Sequence, residues 1–374
     1  MIYLDNAATM RVFDCAICAA ENVMRNEYFN PNATYKSGVA AHEKIEAARR
    51  VIASAMGVFP DELVFTSCAT EANNWVFNSG IKNKKGNIVI SAGEHSSVYE
   101  PAMQLKSKGA DVRIAPLRKD GTVDEKALYG IIDNNTALVS VIHVSNETGV
   151  INPIKSISEN IKKLAPRALI HSDGVQGFLK TNDTVSSLGV DFYSASAHKI
   201  GAPKGIGLLF IKRELNIAPL IYGGGQERGL RSGTQNTPYI EAFASAVQEF
   251  SRLCESSNIQ SIRNELCECF TAQGYRIIGN GNNSGYILCV CVPGVKAEIL
   301  QNIAHDDGVI IGKGAACSGT KRGNRVLSAV GLDQKSIESC IRISFAVDTS
   351  KSDVNNAAKI IIQAAERIRS EHVG

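Results

Sequence analysis

Short apolar runs rich in β-branched residues alternate with amphipathic stretches between about residue 60 and residue 215. This alternation is typical of a parallel sheet covered by helices. Upstream, Ala41, Ile45, Ala48 and Ile52 recur at helical spacing and Gly57 supplies a stop, which predicts a helix over 38–56. The predicted strands are 63–66, 87–91, 112–115, 138–144, 168–172, 192–194 and 206–211.

The pattern changes beyond about Pro238. A long helical stretch over 239–254 leads into two apolar runs, 286–292 and 340–347, with helical segments between and after them. These features indicate a second, smaller α+β domain. The sequence contains no internal repeat and no long linker, so the two parts are expected to pack closely.

Composition supports a two-domain globular protein with a small-molecule substrate. The chain has 374 residues, 44% of them hydrophobic and 21% charged, enough to bury a large core. Its net charge of +3 comes from scattered residues, and no basic block marks a nucleic-acid or membrane surface. The apolar runs are too short to span a bilayer and the N-terminus does not resemble a secretion signal, so we expect a cytoplasmic location.

Ten cysteines are present, and their spacing bears on their role. Without a secretion signal, they are interpreted as reduced thiols that mostly fill the core. The close pairs Cys15/Cys18, Cys267/Cys269 and Cys289/Cys291 each lack a second well-spaced pair. We therefore expect no metal site.

Two charged residues follow predicted strands and point to cofactor chemistry. The strand 168–172 is followed by Asp173, and the strand 192–194 leads through small residues to Lys199. A lysine at a strand end is usually a solvated surface residue, but strand ends in α/β sheets share one crevice. Pyridoxal phosphate (PLP) needs this pair, because an amine forms the Schiff base and a carboxylate keeps the pyridine nitrogen protonated.

Further polar residues follow other strand ends. Residues 66–71, Thr-Ser-Cys-Ala-Thr-Glu, offer hydroxyls at a helix start, which suits a phosphate group but is also typical of a simple helix cap. Ser196 and His198 are candidate donors to the same phosphate. His95 follows the strand 87–91, where an imidazole can stack on a cofactor ring and move protons.

Nearly the whole chain resembles the cysteine desulfurase family of the NifS/IscS kind, in the class V aminotransferase group. The resemblance rests on motifs that occur together and in order. They are Tyr-Leu-Asp-Asn-Ala-Ala-Thr at 3–9, Thr-Ser-Cys-Ala-Thr-Glu-Ala-Asn-Asn at 66–74, Glu-His at 94–95, Ser-Asn-Glu-Thr-Gly at 145–149, His-Ser-Asp-Gly-Val-Gln at 171–176, Ser-Ala-His-Lys at 196–199, Arg-Ser-Gly-Thr at 231–234 and Ala-Ala-Cys at 315–317.

The resemblance implies a fold type I PLP enzyme that converts L-cysteine to L-alanine and carries the sulfur as a persulfide on Cys317. It implies that Lys199 binds the cofactor, Asp173 pairs with the pyridine nitrogen, His95 stacks on the ring and Gln176 reaches the phenolic oxygen. The remaining implied contacts are Ala69, Thr70, Ser196 and His198 at the phosphate, and Asn146 near the substrate.

The resemblance also implies an architecture and partners. The expected large domain, 13–245, has a mainly parallel seven-stranded sheet, and 1–12 with 246–374 form the small α+β domain that carries the cysteine loop. Thr234 resembles a threonine that such enzymes lend to the partner subunit's phosphate, which implies a homodimer with shared active sites. Cys68, Val175 and Ala197 depart from the commoner pattern without removing a catalytic group. The segment after Cys317 also differs, which leaves the sulfur acceptor open between iron-sulfur cluster assembly, tRNA thiolation and other pathways.

Two further residues complete the expected site. Cys317 lies in a glycine-rich stretch near Lys313, Lys321 and Arg322, and nearby positive charge favours the thiolate. Arg342, in an apolar strand pattern, is suited to a two-point contact with a substrate carboxylate.

Other hypotheses are compatible with these residues. The Lys199 and Asp173 pair also serves aminotransferases and selenocysteine lyases, and a catalytically weak scaffold protein could keep the fold. Cys317 favours desulfuration, because transamination does not require it.

Overall fold

The computed structural model describes residues 1–80, 86–279, 281–314 and 324–371. Its strands are β1 (Ile2–Leu4), β2 (Leu63–Thr66), β3 (Asn87–Ser91), β4 (Val112–Ala115), β5 (Thr136–Ser140), β6 (Leu169–Asp173), β7 (Phe192–Ser196), β8 (Gly207–Ile211), β9 (Arg276–Ile278), β10 (Ile287–Cys291), β11 (Val309–Lys313) and β12 (Cys340–Ser344). Its helices are α1 (Asp14–Asn26), α2 (Lys36–Met56), α3 (Ala69–Trp75), α4 (Ser96–Ser107), α5 (Glu125–Gly130), α6 (Ile154–Leu164), α7 (Val185–Leu188), α8 (Thr237–Cys254), α9 (Ile259–Ala272), α10 (Ala297–Asp306), α11 (Arg325–Ala329), α12 (Gln334–Glu338) and α13 (Lys351–Glu371).

A seven-stranded sheet forms the centre of the larger part, in the order β2-β8-β7-β6-β5-β3-β4. Strand β8 runs antiparallel to both of its neighbours, and the other pairs are parallel. The predicted mainly parallel α/β fold is therefore confirmed. Every residue of β5, β6 and β7 is buried, as expected for strands with helices on both faces.

One predicted strand was too long. The apolar run 138–144 belongs to a strand only as far as Ser140, because β5 ends there. The next residues stay buried but leave the ladder, and Ile142 and Val144 line a cavity instead. Apolarity in this run therefore reflects burial rather than strand pairing.

A second sheet has five strands in the order β1-β11-β12-β10-β9. Strand β1 pairs in parallel with β11, so the first residues of the chain join a sheet that is otherwise built from the last hundred residues. The apolar runs 286–292 and 340–347 contain β10 and β12. The predicted domain limits stay a prediction: 13–245 for the large domain, and 1–12 with 246–374 for the small one. The pairing of β1 with β11 supports them, because it joins the first residues to the smaller sheet.

Helical packing follows the sequence pattern. Helix α2 buries Ala41, Ile45, Ala48 and Ile52 and ends at Gly57, whose φ of 69° lies in the left-handed region. Helix α8 packs against both α1 and α2. No helix in the described part of the chain is long and apolar enough to cross a membrane.

Candidate active site

A cavity of about 360 Å³ lies at the carboxyl ends of the central strands of the larger sheet. The N-terminal segment after β1, the start of α3, the turn before α4 and the buried β12 also contribute to it. Ten of the residues predicted from the sequence line this cavity: Ala69, Thr70, His95, Asn146, Asp173, Gln176, Ser196, His198, Lys199 and Arg342.

Lys199 lies in a short 3-10 turn, Ala197–Lys199, directly after β7. Its Nζ donates hydrogen bonds to the carbonyl oxygens of Ala7 and Ala8, each at 2.7 Å. The amine is thereby held inside the cavity rather than in bulk water. A positioned amine of this kind can form a Schiff base with a carbonyl ligand and can move a proton at a neighbouring carbon.

Asp173 ends β6 and is buried at the cavity floor. Its Oδ1 accepts from the backbone N–H of Val175 at 3.0 Å, and its Oδ2 accepts from Nδ2 of Asn73 at 2.9 Å. Both contacts fix the carboxylate in place. Such a fixed acceptor can pair with the protonated nitrogen of an aromatic ring.

His95 caps α4, and its neighbours determine which ring nitrogen carries a proton. Its Nδ1 accepts from the backbone N–H of Ser97 at 3.2 Å and lies 2.8 Å from Oγ of Ser97. Because a backbone N–H can only donate, the neutral ring must carry its proton on Nε2. Burial lowers the pKa of His95, Asp173 opposes this effect and Lys199 adds to it.

Asn73 connects His95 to Asp173. Its Nδ2 donates both to Asp173 and to Oγ of Ser97, the latter at 2.8 Å. Asp173 accepts hydrogen bonds, so the Asn73 amide must turn its nitrogen toward the carboxylate. The resulting chain of hydrogen bonds orders the histidine ring, and sequence reasoning assigned no role to Asn73 or Ser97.

The side of the cavity expected to hold phosphate offers two hydroxyls, those of Thr70 and Ser196, and the ring of His198. Nδ1 of His198 lies 3.1 Å from Oγ1 of Thr9. Burial, followed by the charge of Lys199, lowers the pKa of His198 to about 3. In the absence of a bound anion, the ring is therefore neutral at physiological pH.

Two amides face the centre of the cavity. Nε2 of Gln176 donates to the carbonyl oxygen of Ala7 at 3.0 Å. Oδ1 of Asn146 is buried and has no hydrogen-bond partner within the described residues. An unpaired buried oxygen is costly unless a ligand supplies a donor, so this atom favours an occupied site.

Arg342 lies in β12 and is buried, not on an edge strand. Its Nη2 pairs with Oδ1 of Asp5 at 2.9 Å, and its Nη1 donates to the carbonyl oxygen of Asn146 at 3.0 Å. A planar guanidinium of this kind is suited to binding a carboxylate through two parallel N–H donors. Asp5 was not assigned a role from the sequence.

One predicted residue lies elsewhere. Thr234 lines a separate cavity of about 240 Å³ together with Thr66, Ser67 and Arg231. Cys317 lies outside the described residues, so its role stays a prediction. Arg325, eight residues later, donates to the carbonyl oxygens of Ala92 and Glu94, next to His95.

The donor set suits a phosphorylated aromatic aldehyde. Lys199 can react with the aldehyde, Asp173 can pair with a ring nitrogen, and the hydroxyls of Thr70 and Ser196 can bind phosphate. The orphaned oxygen of Asn146 is consistent with a polar ligand in the same space. PLP has each of these groups, so the residues present fit it.

The chain is similar over nearly its full length to a known protein family and to solved structures. The profile of the family described as Aminotransferase class-V matches residues 2–356. The mitosomal cysteine desulfurase of Encephalitozoon cuniculi is 33% identical over 98% of this chain and 87% of its own length. A solved NifS-like protein superposes with a TM-score of 0.90 at 34% identity, covering 97% of this chain and 98% of the other.

Another solved structure, described as SspA in complex with cysteine, is 28% identical with a TM-score of 0.82 and covers 94% of this chain and 100% of the other. These likenesses extend over nearly the full length, and the class V family is PLP-dependent. The chain belongs to the class V aminotransferase family and, within it, to the NifS/IscS-like cysteine desulfurases.

Proposed function

We propose that this chain is a PLP-dependent cysteine desulfurase that converts L-cysteine to L-alanine and transfers the sulfur to Cys317. The observation that carries the proposal is the meeting of Lys199, Asp173, His95 and Arg342 in one cavity. This combination provides an amine, a carboxylate, an imidazole and a carboxylate-binding cation for an amino-acid substrate.

The cofactor would be held at several points. Lys199 would bind its aldehyde carbon, Asp173 its ring nitrogen and Gln176 its phenolic oxygen, and His95 would lie against the ring. The phosphate would contact Ala69, Thr70, Ser196 and His198. When bound, PLP supplies an electron sink that makes the Cα proton of an amino acid acidic.

Lys199 is the proposed base. Its amine, held by the carbonyl oxygens of Ala7 and Ala8, would remove the Cα proton of the substrate. His95 presents a neutral ring with its proton on Nε2, so it would donate that proton to the substrate or its product rather than remove one.

Arg342 would bind the substrate carboxylate. Because one of its nitrogens already contacts Asp5, the substrate would share the guanidinium with this carboxylate. Asn146 would contact the cofactor near the substrate. Together these residues would orient the substrate so that its sulfur is accessible to an attacking thiolate.

Cys317 would complete the reaction. Its thiolate would attack the sulfur of L-cysteine, so that an S–S bond forms and the Cβ–S bond breaks. The electron pair of the broken bond stays with carbon, which takes up protons to give alanine. The net change, thiol plus cysteine giving persulfide plus alanine, is balanced without an external oxidant.

The expected partners follow from the same assignment. We infer a homodimer in which Thr234 reaches the phosphate of the partner subunit, because Thr234 lies outside the main cavity. A sulfur-acceptor or iron-sulfur scaffold protein would remove the persulfide sulfur. A cytoplasmic location remains a proposal.

The test is an absorbance spectrum of the purified protein followed by measurement of alanine and sulfide after L-cysteine and a thiol reductant are added. The wild type should be yellow and should form both products in equal amounts. Cys317→Ser should keep the cofactor spectrum but lose sulfide formation, and Cys269→Ser, at an exposed cysteine of α9, is the matched control. A fully active Cys317→Ser protein would contradict the sulfur-carrier role, and a yellow wild type that forms neither product would indicate another PLP reaction.

A further inference from the structure

A buried lysine that the proposed reaction does not use lies behind the cavity. Lys180 is 6% exposed, and its Nζ donates to Oε1 of Gln176 at 2.9 Å. It makes no salt bridge with any carboxylate in the described part of the chain. Buried ammonium groups are rare without a paired anion, because removing them from water is costly.

The contacts of Lys180 lock the amide of Gln176. An ammonium can only donate, so it must face Oε1, and the carbonyl oxygen of Ala7 can only accept, so it must face Nε2. The Ala7 contact alone requires this orientation, and the protonated form of Lys180 requires the same one. Gln176 therefore has its oxygen directed toward Lys180 and its N–H groups directed to the side that contains Ala7 and the cavity.

The backbone beside Lys180 is strained. Leu179 has a φ of 61°, in a region that a bulky side chain rarely adopts. Such strain is destabilising and is concentrated at functional sites. The structure thus maintains an unfavourable backbone conformation next to an unfavourably buried charge.

Among the described residues, no carboxylate pairs with Lys180. It lies 5.8 Å from the ring centroid of Tyr286, and Cys254 and the two residues Lys199 and His198 are its other titratable neighbours. Burial, together with the charge of Lys199, lowers the pKa of Lys180 to about 7. A bound anion in the cavity would favour the protonated form.

We propose that Lys180 is a positioning residue for the cofactor: it fixes Gln176 with its N–H groups toward the phenolic oxygen and supplies a buried positive charge that the anionic cofactor neutralises. This inference rests on the proposed function for the identity of the ligand. It explains why the cation is retained where the residues that the structure describes offer it no counter-ion. By linkage, cofactor binding is accompanied by proton uptake at Lys180.

The experiment uses three variants of the full-length protein and PLP itself as the probe. Lys180→Gln removes the charge but keeps an N–H donor, Lys180→Met removes both, and Lys180→Arg keeps the charge. The control is Lys162→Gln, because Lys162 is a partly buried lysine that pairs with Asp191 and does not line the cavity. The measurements are the PLP dissociation constant of the apoprotein, the pH midpoint of the visible absorbance of the bound cofactor, and the apoprotein Tm.

Lys180→Gln should weaken PLP binding about tenfold, as expected for one charge acting over several ångströms at an intermediate dielectric. It should also move the spectroscopic midpoint upward by about one pH unit, because a repelling positive charge near the Lys199 nitrogen is lost. As the pH rises from about 6 to about 8, the PLP affinity of the wild type should fall more steeply than that of Lys180→Gln. The Tm of apo Lys180→Gln should not fall, because a desolvated charge has been removed.

Lys180→Arg should restore much of the affinity, and Lys162→Gln should lower Tm without changing the PLP affinity or the midpoint. Unchanged affinity and midpoint in both Lys180→Gln and Lys180→Met would overturn the inference while leaving the proposed function intact. A loss of Tm in Lys180→Gln with no spectroscopic shift would assign Lys180 a structural role instead, and this also overturns the inference. A wild-type protein that binds no PLP would overturn both proposals.

Discussion

Gly174, directly after Asp173, offers a sharp test of how tightly the cavity floor is packed. A Cβ atom at this position would lie 1.8 Å from Cζ of Tyr193 and 2.0 Å from its Cε1. Ordinary carbon contacts are about 3.5–4.0 Å, so Gly174→Ala requires a separation of roughly 2 Å between the two segments. Tyr193 cannot move easily, because it is buried and its hydroxyl lies 2.9 Å from Nδ1 of His143.

The backbone at Gly174 is also held, since its N–H donates to the carbonyl oxygen of Ser194 at 3.0 Å. Overpacking costs about 1–3 kcal/mol, and two fixed partners place this substitution near 3 kcal/mol. For 374 residues at about 2.1 cal/mol/K each, the unfolding entropy is roughly 0.8 kcal/mol/K. The expected loss of Tm is therefore about 4 °C.

The functional effect should exceed the loss of stability. A shift of about 1 Å at Asp173 would disturb its contact with the cofactor ring and should lower kcat/KM for alanine formation about 10²-fold. Tm of the apoprotein, PLP affinity and alanine formation are the measurements. Gly130→Ala is the control, because Gly130 ends α5 and a Cβ there would meet nothing within 4 Å. A Gly174→Ala protein with wild-type Tm and PLP affinity would refute the packing argument.

Three further outcomes are expected. Arg49→Met should lower the free energy of unfolding, measured by chemical denaturation, by about 3–5 kcal/mol, because Arg49 makes two 2.8 Å contacts with the buried Glu227. The double variant Arg49→Met/Glu227→Leu should recover much of that loss. Additive effects of the two substitutions would contradict the coupling between these residues. Burial by itself raises the pKa of Glu227, but the contacts with Arg49 hold that pKa below its ordinary value. The stabilisation from the Arg49–Glu227 pair is therefore present above the unfolded-state pKa of Glu227 and is lost as the pH falls through the folded-state pKa. Burial raises the pKa of Glu94 to about 8, so the stability of the apoprotein should fall as the pH rises from about 4.5 toward 8. Glu94→Gln should flatten this decrease in a plot of Tm against pH. Parallel curves for the wild type and the variant would rule the effect out. Arg342→Lys should raise the KM for L-cysteine about tenfold, since a point charge replaces a two-point contact, and an unchanged KM would remove Arg342 from the substrate site.

The sequence predicts the residues whose position follows from a strand end. Lys199 and Asp173 are found together because β6 and β7 are adjacent and parallel, and that adjacency follows from the alternating pattern. Their types also identify the chemistry, since few cofactors need both an amine and a fixed carboxylate.

Residues that act through packing were not predictable in this way. Asn73 meets Asp173 across 100 positions only because α3 packs against β7 and β8, beside the end of β6. Ser97 and Lys180 are ordinary polar residues in the sequence, and only burial with a specific partner distinguishes them. A signal did exist for Lys180: an ammonium four residues after Gln176 can reach back to its amide within one turn of chain.

The pairing of β1 with β11 has a consequence for how the cofactor cavity comes into being. Ile2 aligns with Val309, and the backbone N–H of Ala7 donates to Oγ of Ser344, so this segment finds its partners only after about three hundred further residues have been made. The carbonyl oxygens that hold Lys199 belong to this segment. The cavity around Lys199 is therefore completed only when this segment has docked on β11 and β12, so substitutions that weaken the β1–β11 pairing should reduce cofactor retention.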